Sequence, residues 1–348
     1  MPRQIHIVLK KRNMIVLGRE SRGMAQLELA DRIGMSKANL GKIENGDIGV
    51  KDDVLELIAD VTHYPVSFFL QEAEIYPEHL VYRKRENVAQ KLLTPLNAKI
   101  NIVRLHIEIL LAFLKTDIPK LPHYEIDETL DPIAAAQKLR RSWKIDTPIV
   151  ENVVRMLEEK GIAVTSFGFG TERVDSRCIL TEDKYPIIVF NQSLLGDRQR
   201  FSLAYQLGHL VMHTYSNVSW ERDISHEANI FAAEFLMPEK SIRKDFDNGI
   251  TLPLLGELKR KWKVSMIALL YRADDLGYLT PNQKRYLIQQ FNEQKIRRRE
   301  PIELDIQVEK PAMVRKWISE VKTKRKLDVK GMASLLHLNA DEFIELYN

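Results

Sequence analysis

The spacing of apolar residues divides the chain into helical stretches with one short interlude of strands. From about Met14 to Leu70 it reads as a compact set of short helices, closed by Ser67-Phe68-Phe69-Leu70. Gln71 to Lys91 is mixed, with two short charge runs and Pro77. A long amphipathic helix is expected from about Leu96 to Leu114, and the Pro-containing stretch from Asp117 to His123 reads as a linker. A new unit begins at Asp131, with Pro132 at a helix start, and a second helix spans Ile149 to Lys160 before Gly161. Strands are expected at Ile162–Phe167, Ser176–Leu180 and Pro186–Phe190. Two helices follow, about Asp197–His213 and Ser225–Phe235, the latter ended by Met237-Pro238. Ser265 caps a helix over Met266–Leu276. Ile302 to Val308 is strand-like, and a helical tail runs from Ala312 to Leu346. The fold class is mainly α (α+β) with a small sheet.

Gln26 to Ile43 matches helix-turn-helix chemistry position by position. Ala30 is the small residue that lets two helices approach, and Gly34 falls at a turn that needs positive φ. Ser36 is an N-cap for the next helix, Leu40 and Ile43 are its buried face, and Asn45-Gly46 ends it. That helix exposes Lys37, Ala38, Asn39 and Lys42 at the end that enters the major groove in this geometry. Asn39 can read adenine bidentately, and Lys37 or Lys42 can meet guanine or phosphate. Gln26 is placed to touch a phosphate. One such module buries limited surface, so two copies on a two-fold operator are expected.

A second motif lies in RFSLAYQLGHLVMH, Arg200 to His213. An intact H-E-x-x-H places two His one helical turn apart on Zn²⁺, with the Glu taking a proton from the bound water. Here Tyr205 stands at the first His, Gln206 at the Glu, and only His209 remains. A phenol with a pKa near ~10 must lose a proton to bind metal well. An amide cannot act as a general base, a role that contributes about 10²–10⁴-fold. Hydrolysis by that mechanism is expected to be absent or residual.

Composition narrows the class without changing it. An apolar fraction of 45% and a charged fraction of 29% describe an ordinary protein with sizeable cores, and 348 residues suggest two or three units. Ile100 to Leu114 is the longest greasy stretch and is broken by Arg104, His106 and Glu108, so no membrane span is expected. The N-terminus lacks the pattern of a signal peptide. A single cysteine, Cys178, excludes an internal disulfide and fits a reducing cytosol. Net charge is only +4, but basic residues outnumber acidic ones before residue 52. Lys10 to Arg12 is a candidate DNA-contacting arm. Two other basic runs, Lys295–Arg299 and Lys322–Lys326, read first as solvated surface.

With these motifs in hand, the chain resembles regulators that join an Xre-type (Cro/repressor-like) helix-turn-helix to an ImmA/IrrE-type zinc-metallopeptidase domain. The resemblance rests on SRGMAQLELADRIGMSKANLGKIENG, PIVENVVRMLEEKGIAV, YPIIVFNQSLLGDRQRFSLAYQLGHLVMH and SHEANIFAAEFLMP. Further blocks are WKVSMIALLYRADDLGYLT and REPIELDIQVEKP, all in the family's order. It implies a five-helix DNA-binding domain over residues 14–70, a helical linker over 71–123, a zincin-like α+β domain with a small sheet over 124–300, and a C-terminal helical region over 301–348. It also places the third metal-ligand Glu at Glu227. His209 and Glu227 thus match ligand positions, and Tyr205 does not. His213 falls where intact members commonly carry a His outside the ligand set. A rebuilt zinc site of His209, His213 and Glu227 is the alternative to a hydrogen-bonded relic of Tyr205, Gln206 and His209 with no cofactor. His226 is expected to serve at the surface or in a cap. The implied function is a homodimeric regulator of a double-stranded operator. Autoregulation and a toxin partner fit that class, and an active peptidase that cleaves a repressor is the competing reading.

Overall fold

The computed structural model describes residues 14–75, 82–84, 88–214 and 222–347. The candidate arm at Lys10–Arg12 and Pro77 lie outside them. Five helices open the chain: α1 (residues 14–21), α2 (Gln26–Arg32), α3 (Lys37–Asn45), α4 (Asp52–Thr62) and α5 (Val66–Phe69). Leu29, Ala30, Leu40, Ile58, Phe68 and Phe69 form their common core. Gly18 on α1 makes this packing possible, because a Cβ there would sit 2.9 Å from the Phe69 ring. The tight turn between α2 and α3 uses Gly34 at φ +67°.

A short strand, β1 (Tyr82–Lys84), precedes the 25-residue helix α6 (Gln90–Leu114). α6 starts six residues earlier than its apolar period suggests, and Pro95 lies inside it. Pro95 forfeits a single backbone hydrogen bond near the helix start. The burial of Leu96, Ile100, Val103, Ile107 and Leu110 along the remaining turns outweighs that loss.

The next unit alternates helices and strands: α7 (Pro132–Ser142), α8 (Val153–Glu159), β2 (Ala163–Phe167), β3 (Val174–Leu180) and β4 (Pro186–Asn191). Asp131 caps α7 through the Ala134 N–H, with Pro132 in its first turn, and Asn152 caps α8 through the Arg155 N–H. The sheet order is β1-β3-β4-β2, with β2 parallel to β4 and the other pairs antiparallel. Both faces of the sheet are buried. On β4, Ile188 and Phe190 enter one core while Ile187 and Val189 enter the other.

The first core is closed by α9 (Gly196–Met212), α10 (Ile224–Leu236), α11 (Glu239–Phe246), α12 (Leu252–Trp262), α13 (Met266–Asp275) and α14 (Pro281–Glu293). α9 and α10 cross closely at Gly208, where a Cβ would lie 2.9 Å from Phe231. The second core is closed by α6, the N-terminal helices and three C-terminal ones: α15 (Met313–Arg325), α16 (Val329–Leu335) and α17 (Ala340–Tyr347).

The strand expected at Ile302–Val308 does not form. Its start, Ile302–Leu304, is a 3-10 turn, and the rest is extended but pairs with no strand. The residue that follows it, Glu309, is held by a side chain. The Gln199 amide donates to the Glu309 carbonyl at 2.7 Å and accepts from the Glu309 N–H at 2.8 Å. This segment crosses α9 at Gly196, where a Cβ would fall 2.2 Å from the Ile306 carbonyl oxygen.

Candidate DNA-reading helix and a peptidase-like helix pair

At the N-terminal domain, the Ser36 hydroxyl accepts from the Asn39 N–H at 3.2 Å and starts α3. Gly46, at φ +76°, ends it in the left-handed conformation. Leu40 and Ile43 are buried, so Lys37, Ala38, Asn39 and Lys42 are left on the exposed side. Gln26 is half-buried and already engaged. Its amide donates to Glu44 at 2.7 Å, and Glu44 also accepts from Arg19 at 2.6 Å. The Arg19–Glu44–Gln26 network ties α1 and α2 to the end of α3. This network uses one amide N–H of Gln26 and not the other. Gln26 was singled out in the sequence, but Arg19 and Glu44 carried no local signal.

In the second unit, α9 is buried along nearly its whole length and aligns Tyr205, His209 and His213 on one stripe. The Tyr205 ring meets the His209 ring edge-on at 4.7 Å. His209 Nδ1 lies 2.8 Å from His213 Nδ1, and His213 Nε2 lies 2.9 Å from Glu227 Oε2 on α10. Arg222 closes the chain with two bonds to the Glu227 carboxylate, at 2.9 and 2.5 Å.

The electrostatics fix the protons in this row. Burial, reinforced by neighbouring His213, lowers the His209 pKa to about 3, so its ring is neutral. Burial also lowers His213, more strongly than Glu227 raises it. Burial pushes Glu227 up, but the bonds from Arg222 and His213 outweigh that and hold it ionised. The carboxylate therefore accepts from His213 Nε2–H, and His213 Nδ1 accepts from His209 Nδ1–H. The buried Nε2 of His209 is left as a lone pair without a partner.

Gln206 is fully buried and turns away from this row. Its carbonyl oxygen accepts the Cys178 N–H at 3.0 Å, and its amide donates to the Ser176 hydroxyl at 3.0 Å, both on β3. Cys178 is itself buried, and burial pushes its thiol pKa up to about 12, so it stays protonated.

This donor set does not fit a catalytic zinc ion. Three ligands must converge on one point with a position left for water. Here one imidazole lone pair is free, both His213 nitrogens are used, and Glu227 is taken by Arg222. Among the described residues, no three His, Cys, Asp or Glu side chains are grouped to hold a metal. The structure thus brings His209, His213 and Glu227 together as a hydrogen-bonded row. Gln206 does not share a pocket with Tyr205 and His209 but pins α9 to the sheet. Arg222 and Ser176, which complete these contacts, were not singled out in the sequence. His226 is exposed, and its backbone N–H bonds to the capping Asp223 at 2.9 Å. A cleft of about 1220 Å³ opens over this region, between α9, α10, α13 and the segment after α14. Tyr205 forms part of its wall, whereas Gln206 and His209 do not.

Residues 17–69 match the family model described as helix-turn-helix, and residues 157–274 match that of the IrrE N-terminal-like domain. The chain joins a helix-turn-helix domain to an IrrE-like domain. Among curated proteins, the radiation response metalloprotease IrrE of Deinococcus radiodurans is 29% identical over 102 residues. That match covers 26% of this chain and 31% of that protein, about a third of the relative's length. The helix-turn-helix match takes in all of α2 and α3. The IrrE-like match spans α9, α10 and most of α13 but stops before residues 295–300. Among the described residues, no helix is long and apolar enough to cross a membrane.

Proposed function

We propose that this chain is a sequence-specific transcription regulator, an autoregulating repressor acting as a homodimer on an operator, in the cytoplasm. In this reading the IrrE-like domain has lost hydrolysis and serves as a sensor or interaction domain, with a toxin as one class of partner. Lys37, Asn39 and Lys42 read or anchor DNA, Ser36 holds the helix start, and Gln26 orients on a phosphate. The observation that carries the loss of hydrolysis is the placement of Gln206. The group at the general-base position is a neutral amide whose hydrogen bonds are spent on Cys178 and Ser176. Even a metal held nearby would find no proton acceptor there.

One observation favours the competing reading of an active zinc peptidase that cleaves a repressor. The unpartnered Nε2 of His209 is an imidazole lone pair of the kind a metal takes. Gel-shift with DNA from upstream of its own gene, together with zinc analysis of the purified chain, separates the two. The regulator reading expects a specific shift that Lys37→Ala with Asn39→Ala abolishes while the circular dichroism spectrum stays unchanged. It also expects much less than one zinc per chain. Stoichiometric zinc with proteolysis lost on chelation would establish the peptidase instead.

A further inference from the structure

Beside the relic row, the cleft over α9 and α10 has a lopsided distribution of charge. Several of its ionisable lining residues are held in ion pairs within the protein. Arg198 pairs with Asp175, and Arg272 pairs with Glu234. Lys259 is fully buried between Asp197 and Glu300, at 2.5 and 2.6 Å. Three cations on one rim, Lys295, Arg297 and Arg298, are different. They are exposed and have no ion-pair partner among the described residues. A left-handed residue at Lys295, φ +57°, turns the chain just after α14 and leads it along this rim. Asp275 on α13 has no cation bonded to it among the described residues, and Lys259 balances only one of its two carboxylates, so the three rim cations leave the cleft with a small positive excess.

The floor between these charges is apolar. Phe201 on α9, Ile230 on α10, and Ile267, Ala268 and Tyr271 on α13 line it, and Tyr271 is 40% exposed. An exposed tyrosine beside a strip of half-buried aliphatic carbons is the composition of a binding surface and not of plain solvated helix. At about 1220 Å³ the cleft exceeds the roughly 300–1,000 Å³ of small-ligand pockets. The hydroxyl of Ser225 and the amide of Asn292 supply a donor and an acceptor along its walls, as a peptide backbone requires.

We infer that this cleft binds an extended acidic segment of a partner protein. A bulky apolar side chain lies on the Phe201–Tyr271 floor, and neighbouring carboxylates meet Lys295, Arg297 and Arg298. The inference rests on reading the IrrE-like domain as an interaction domain, and it gives that domain a ligand chemistry. The three cations lie beyond the residues matched to the IrrE N-terminal-like domain.

The test uses the full-length chain and two fluorescein-labelled peptides of equal length. One alternates Glu with Phe and Leu, and the other replaces each Glu by Lys. Anisotropy should show the acidic peptide binding at least tenfold more tightly, with the difference shrinking as salt is raised. Lys295→Glu with Arg297→Glu and Arg298→Glu should reverse the preference, and Tyr271→Ala should weaken both peptides. Equal binding of the two peptides, or an unchanged preference in the triple variant, would overturn the inference. Competition by phenylacetate alone, without peptide binding, would assign the cleft to small organic acids and overturn the peptide. Loss of operator binding in the triple variant would reassign the rim to DNA phosphates. Failure of the unaltered chain to shift any operator would count against the regulator reading itself, whatever the peptides do.

Discussion

At the scale of single residues, Gln206 is held by complementary partners at both ends of its amide. The amide suits its site because it both accepts and donates, to a backbone N–H and to a hydroxyl on β3. A carboxylate there could only accept and would bring a charge into a fully buried place. Gln206→Glu is therefore expected to cost about 1–3 kcal/mol by urea denaturation at neutral pH. The loss should shrink on acidification. Burial raises the carboxyl's folded pKa above its unfolded value near ~4.3, so the protonated group is tolerated and stability falls as pH rises. An undiminished stability at pH 8 would mean that the site is wetter than its burial indicates. The sequence aligns Gln206 with the Glu of the motif. The partners of Gln206 were not legible there, because Ser176 and Cys178 lie about thirty residues away on a strand that only the fold brings near.

At the scale of elements, most helices announced themselves through period and caps: Ser36, Asp131 and Ser265 each accept the N–H expected of an N-cap. Two helices that the reading passed over, α12 and α14, do carry Thr caps and a Pro in the first turn, whereas the other missed elements lack such local signals. β1 is three residues in a charged stretch, and it exists because the edge of β3 offers a pairing partner. Ile302–Val308 has the residues of a strand but pairs with no second backbone, and the amide of Gln199 holds Glu309 just after it. The contact between α6 and α17 was equally hidden, and it carries a pH dependence. His106 is buried with Nδ1 2.7 Å from the Tyr347 hydroxyl. Burial, with His337 as a lesser cause, lowers its pKa to about 3. The unfolded chain takes up a proton near pH ~6.5 that the folded one refuses, so stability is full above that pH and declines below it. By pH 4.5 the loss from this residue should be about 2–3 kcal/mol, and His106→Gln should flatten that limb of the thermal midpoint curve. A variant as acid-sensitive as the parent would place the effect elsewhere.

At the scale of the molecule, the C-terminal helices reach back to the DNA-binding domain. Arg22 makes two bonds to Glu342 on α17, at 2.9 and 2.8 Å, stacks on Tyr64 at 3.9 Å, and donates to the Thr62 carbonyl. His63 lies 3.0 Å from Asp341, and the Asn339 amide donates to the His63 carbonyl at 3.0 Å. The Arg22–Glu342 pair is mostly shielded and bidentate, so a double-mutant cycle with Arg22→Ala and Glu342→Ala should give a coupling of about 1 kcal/mol. A coupling near zero would mean that solvent already satisfies both groups. The helix-turn-helix and IrrE-like segments were legible in the motifs, but this return contact joins residues 320 positions apart and leaves no pattern in either segment.

The alternation along β4 has a consequence for how this protein can change. Ile187 and Val189 serve the compartment shared with the DNA-reading helices, and Ile188 and Phe190 serve the one beneath the cleft. Point replacements that conserve volume can adjust either compartment separately. A single-residue insertion or deletion within the strand would transpose both sets at once, so lineages carrying this architecture should vary in length at the Lys184 turn and keep the strand's reading frame fixed.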